Sequence, residues 1–212
     1  MSLGITVTLL ETPAQIKQQI MKALLVELNI KLAKAAIYIK QNLPAVLRVA
    51  LTNQDEYNSI VGGDLREHFG IPDGVWKLSV ILDKWLDTIM ITTKKFKYVG
   101  GNITGGLTVQ AIRSDFRDVM SLTEAYQITE KGEDLHWLHW LLLAGDAIII
   151  KDYIIVEGGL FHGRAGTKIM RSKKSGRWSV PSQYRGNEEN NWTTRAIKSA
   201  NDKLNQLFAK AF

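Results

Sequence analysis

Cysteine is absent from the 212 residues, which excludes disulfides, thiolate metal sites and thiol nucleophiles together. Long apolar runs are scarce as well. The longest, residues 137–144, is interrupted by His139 and falls far short of the ~20 residues a spanning helix needs. Residues 1–10 lack the order of a basic, an apolar and a small-residue region that marks a signal peptide. A soluble protein made in a reducing compartment, without membrane partners, is expected. Proline occurs only four times, and each one marks a boundary: Pro13 at a helix start, Pro44 at a break, Pro72 in a turn and Pro181 after a strand.

Several catalytic signatures are missing too. There is no G-x-S-x-G elbow, and the only close histidine pair, His136 and His139, has a spacing of three rather than the H-E-x-x-H spacing of helical zinc sites. Residues 163–168 do not meet the G-x-x-x-x-G-K-[ST] order of a phosphate loop. The carboxylate pairs Asp55 with Glu56 and Glu188 with Glu189 sit in polar turns, where nothing separates their pKa values for acid–base work. The sequence therefore predicts no enzyme, no metal and no cofactor.

What is present is a long amphipathic pattern over residues 12–43. Ile16, Ile20, Leu24, Leu28, Leu32, Ala35, Ile39 and Leu43 recur at spacings of three and four, with lysines and glutamines between them. Thr12 and Gln15 have capping-box spacing. At ~1.5 Å per residue this helix spans roughly 45 Å, so most of the remaining chain is expected to pack along its stripe. Pro44 should end it and begin another helix. Short helices are predicted over 56–61 and 64–69, stopped by Gly70, and over 75–85.

The period changes after Leu86. Strands are expected near residues 5–10, 89–99, 107–113, 116–122 and 147–156. A short apolar helix is expected over 132–144, and a hairpin with strands at 167–170 and 177–180 and its tip at 172–176. A last amphipathic helix opens after Asn191. One domain, residues 1–212, is predicted, with a helical half (about 12–87) and a strand-rich half (about 88–212). Its class is α+β, a long N-terminal and a C-terminal helix packed on a small, mainly antiparallel sheet, with extra short helices after the first.

Charge is uneven along the chain. The net of +6 divides into +4 over residues 1–114, −5 over residues 115–146 and +7 over 147–212, and the acidic segment followed by a basic one suits head-to-tail association of subunits. Arg164, Lys168, Arg171, Lys173, Lys174 and Arg177 put six cations within fourteen residues with no acidic residue among them. Such a hairpin fits assembly contacts or phosphate contacts. Trp137, Trp140, Trp178 and Trp192 are candidate interface aromatics.

Residues 138–145 (L-H-W-L-L-L-A-G) followed by a strand, residues 163–170 (G-R-A-G-T-K-I-M), then Trp178, Val180 and Pro181, then Asn191, Trp192, Thr194, Arg195 and Ala196 opening the last helix, together carry a resemblance. This part of the chain, roughly residues 133–212, resembles the tail-completion or neck (head–tail connector) proteins of tailed bacteriophages; the N-terminal half resembles them in architecture alone. The extra helices between Pro44 and Trp85 depart from the most compact members. The resemblance implies a non-enzymatic virion protein at the head–tail junction. It would form a ring, commonly hexameric or dodecameric, around the DNA channel, with itself and neighbouring connector, neck or tail proteins as partners and non-specific contact with packaged DNA. A nucleic-acid-binding module using the basic hairpin is the alternative, and a metal-dependent hydrolase the third reading.

Overall fold

A computed structural model describes residues 10–100, 102–112, 115–129 and 132–212. The strand expected over residues 5–10 lies, except for Leu10, outside them.

The first helix, α1 (Pro13–Thr52), begins as its cap residues dictate. The Gln15 N–H donates to Thr12 Oγ1 (3.3 Å), the Thr12 N–H donates to Gln15 Oε1 (2.8 Å), and Pro13 takes the first helical position. It then runs through Pro44, against the expected break. An interior proline costs about 3 kcal/mol through one lost hydrogen bond and a clash with the carbonyl four residues back. Here Ile39 and Leu43 before it, and Leu47, Ala50 and Leu51 after it, are all buried on the same side, and that burial offsets the cost. The core face also starts later than the sequence implied: Leu32, Ala35, Ile39 and Leu43 are buried, Leu28 is half-buried, and Ile20 and Leu24 are exposed. The first turns of α1 thus extend beyond the packed body.

Three short helices follow, α2 (Asp55–Gly62), α3 (Asp64–Phe69) and α4 (Gly74–Asp87). Gly70 ends α3 in the left-handed region (φ 63°), with its N–H on Glu67 O and the Ile71 N–H on Arg66 O. Ile60, Leu65, Phe69, Ile71, Leu78, Ile81 and Trp85 point inward from this helical layer.

The antiparallel ribbon of β1 (Met90–Val99) and β2 (Asn102–Gln110) lies against α1. Asn29 fastens it. Its side chain donates to Phe96 O (3.2 Å) and accepts from the Phe96 N–H (2.8 Å), at the point where a bulge between Lys94 and Lys97 leaves that backbone unpaired.

Residues 116–122, expected as a strand, hold the single turn α5 (Arg117–Met120). Phe116 and Val119 explain the difference: three residues apart on a helical turn, both reach the core. β3 (Gln127–Ile128) and β4 (Asp134–Leu135) form a two-residue pair, and that pairing delays α6 to Trp137–Leu142. β5 (Ile150–Glu157) and β6 (Lys168–Trp178) make the longest ribbon. The chain closes with α7 (Trp192–Ser199), capped by Asn191, and α8 (Asn201–Ala211), offset at Ala200.

The class is α+β, with a long N-terminal helix. Among the described residues the strands form three separate two-stranded antiparallel sheets instead of the one sheet expected from segments near 89, 107 and 147. Each longer ribbon has its own support, α1 for β1–β2 and α3 for β5–β6, so neither needs the other's edge. Two apolar clusters result. The larger joins the end of α1, the helices α2 to α7, and Trp178. The smaller joins Ile39, Leu43 and Leu47 to Leu207 of α8 and to the ribbon β1–β2, and Leu204 packs against both clusters.

Candidate assembly surface

The six cations marked in the sequence belong to one long strand and the loop before it, with no hairpin of their own. β6 continues from Lys168 to Trp178 because β5 pairs with it at both ends, from Glu157↔Lys168 to Ile150↔Trp178. The expected tip survives as a bulge. Between Lys151↔Arg177 and Tyr153↔Ser172, Asp152 alone faces residues 173–176. Asp152 and Ser175 both take positive φ (60° and 63°), and the Ser175 N–H donates to Asp152 Oδ1 at 2.9 Å. This hydrogen bond holds Lys173 and Lys174 outward.

Residues directly opposite in an antiparallel pair share a face. Ile150 with Trp178, Ile155 with Met170 and Glu157 with Lys168 face α3, where Ile150, Ile155, Lys168 and Met170 line a cavity of about 460 Å³ together with His68 and Gln127. Lys151 with Arg177, and Ile154 with Arg171, occupy the outer face. Among the described residues, Lys151, Arg171, Lys173, Lys174 and Arg177 form no salt bridge, and all are exposed. Two like charges directly across a ladder destabilise it, so the Lys151–Arg177 pair works against the ribbon that carries it.

Arg164 and Lys168 behave differently from the other four. Arg164 donates to Ile128 O (2.8 Å). Lys168 pairs with Asp64 on α3, and its backbone N–H donates to Glu67 Oε2 (3.0 Å). Glu67 lies so close to the loop that a side chain on Gly166 would overlap its carboxylate. The hydrogen bond from Lys168 holds the Asp64 carboxyl below its ordinary range, and the same contact raises the Lys168 ammonium. These two cations brace the ribbon against the body. Burial, and secondarily the charge of Lys168, pushes the neighbouring His68 imidazole down.

The four tryptophans proposed as interface aromatics lie inside the subunit. Trp137, Trp178 and Trp192 are buried, and Trp140 is half-buried against Phe69. Their rings interlock: Trp85 meets Trp192 edge-on at 5.2 Å, and Phe69 meets Trp178 at 5.6 Å. Aromatic content signals interfaces and cores alike, and here the core claims it. The tryptophan left outside is Trp76, 55% exposed on α4, which the sequence reading did not single out. The glycine-rich loop that joins β5 to β6 carries a further exposed apolar pair. Leu160 (95% exposed) and Phe161 (74%) stand out there on a turn closed by the Phe161 N–H to Gly158 O at 2.9 Å.

No protein-family model, curated protein or solved structure matches the chain. Among the described residues, no cluster of three or more His, Asp or Glu is placed to hold a metal ion, and no helix is long and apolar enough to cross a membrane. His136 is exposed at the start of α6, 5.6 Å from the Tyr126 ring. The surface therefore offers a row of unpaired cations on a braced ribbon, with an apolar loop tip at its end.

Proposed function

We propose that this protein is a non-enzymatic structural component of a tailed-phage virion, a neck or tail-completion subunit that assembles into a hexameric or dodecameric ring around the DNA channel where head meets tail. The observation that carries this reading is the outer face of β5–β6. Lys151, Arg171, Lys173, Lys174 and Arg177 are displayed without ion-pair partners among the described residues, while Arg164 and Lys168 hold that face in place. A ribbon that tolerates like charges across its ladder suits an acidic partner supplied from outside, such as the acidic stretch 115–146 of a neighbouring subunit or another protein of the junction. The motifs of residues 133–212 lend the phage assignment its direction.

Reversing Arg171, Lys173 and Lys174 to Glu tests this. All three are exposed, and surface substitutions usually cost within about 0.5 kcal/mol each, so the variant should fold and melt normally. It should fail to join heads to tails in an in vitro complementation assay. Joining at wild-type efficiency would remove the surface from the assembly.

The Lys151–Arg177 juxtaposition also favours a second reading, in which the ribbon follows a phosphate backbone. Binding of duplex DNA that weakens steeply with salt, and disappears in the same variant while head–tail joining persists, would select that reading.

A further inference from the structure

Helix α1 carries a second apolar stripe that the other described residues leave exposed. Val26, Ile30, Ala33 and Ile37 follow one another at spacings of four, three and four, and Ala23 precedes them by three. Val26 is 62% exposed, Ile30 46% and Ile37 59%. At ~100° per residue these side chains lie roughly 150° round the helix from Leu32, Ala35, Ile39 and Leu43. A 3.5-residue repeat is the pattern of a coiled-coil seam; Ile37, at its C-terminal end, lines a groove with Lys210 and Ala211 of α8 and is still 59% exposed.

We propose that this stripe is the docking seam for the α1 helix of a second copy of the same chain, laid antiparallel across a two-fold axis between Ile30 and Ala33. Antiparallel alignment places Ile30 on Ala33 and Val26 on Ile37 of the other copy, with the small Ala33 at the centre letting the two backbones approach. Charge selects both the partner and the direction. Glu27 and Lys34 share one flank of the stripe, are exposed, and form no ion pair in their own subunit among the described residues. In the antiparallel pair each Glu27 reaches Lys34 of the other copy, so the two contacts are reciprocal, as a two-fold interface requires. In a parallel pair Lys40, which continues the stripe, would face its own copy; antiparallel alignment sets it opposite Ala23.

Two further points make a short seam sufficient. The core already holds α1 helical, so association does not have to meet the cost of forming a helix. The stripe also faces away from the body, so the two bodies lie on opposite sides of the helix pair. The inference does not rest on the neck reading: a two-fold contact builds a dimer or a dihedral assembly, whereas a polar ring closes through head-to-tail contacts made by other surfaces.

Light scattering on the full chain over a range of concentrations, with circular dichroism as a folding control, tests the pairing. Wild type should show a concentration-dependent dimer or an even multiple of the chain mass. Ile30→Glu should abolish the two-fold step without changing the thermal melt. Glu27→Lys and Lys34→Glu should each raise the dissociation constant about tenfold, and the double reversal should recover most of the loss. Because the chain has no cysteine, mixing Val26→Cys with Ile37→Cys reads the direction directly. Disulfides between the two variants support the antiparallel seam, and Val26→Cys linking to itself overturns it. A wild type that is monomeric at every concentration, or a double reversal that recovers nothing, also overturns it, whatever the outcome of head–tail joining.

Discussion

At the scale of single residues, His68 shows how the brace behind the basic ribbon couples to pH. The imidazole sits half-buried on α3, edge-on to Trp178 at 5.7 Å, and its Nδ1 is enclosed without a hydrogen-bond partner. Burial holds its pKa below the ~6.5 of an unfolded histidine. The sign follows. Below pH ~6.5 the unfolded chain binds a proton that the folded one refuses, so stability is complete above that value and declines as the pH falls toward the folded pKa. Urea titrations at pH 7.5 and 5.5 should show the midpoint falling at the lower pH, and His68→Phe should remove most of that difference. Arg195 and Glu56 show the opposite treatment of charge. Glu56 is 2% exposed, and Arg195 reaches it through Nε (2.8 Å) and Nη2 while also donating to Asn190 Oδ1 (2.9 Å). In the sequence Arg195 stands out as part of a motif, whereas Glu56 reads as one of a carboxylate pair in a polar turn. Only the fold brings residues so far apart in the chain together, and a buried carboxylate needs such a partner.

At the scale of elements, the long helix carries a defect at its middle. Replacing Pro44 by Ala restores a backbone N–H for the Lys40 carbonyl and removes a steric clash, so P44A should raise the free energy of unfolding by about 1–3 kcal/mol in denaturant titration. An unchanged value would mean that α1 has relaxed around the proline at no cost. Elements whose signals are local were legible from sequence: the Thr12 cap with Gln15, the Gly70 stop, the opening of a helix after Asn191 and the amphipathic spacing of α4 and α7. Elements decided by distant partners were not. Pro44 reads as a break until the buried residues on both sides of it are known. The basic hairpin reads as two strands until β5 is seen to pair with all of β6 around a bulge at Asp152. For the candidate surface, the cations were visible in the sequence. Their division into bracing residues, Arg164 and Lys168, and free ones was not, because Asp64 and Glu67 lie about a hundred residues earlier.

At the scale of the whole molecule, the first and last helices share a cluster. Leu207 on α8 is buried against Ile39, Leu43 and Leu47 of α1. Leu207→Ala should cost about 2–4 kcal/mol, read as a lower denaturant midpoint. Loss of the smaller cluster alone would appear as an early transition, with the larger cluster melting later. The same closure sets an order of events during synthesis. A ribosome releases α1 before α8, at roughly 5–20 residues per second, so each nascent chain holds Ile39, Leu43 and Leu47 without the cover of Leu207 for about ten seconds or more. Until α8 emerges, that apolar face is open to whatever can bind it, a chaperone or another newly made copy included, and a chain that stalls before residue 204 keeps it open.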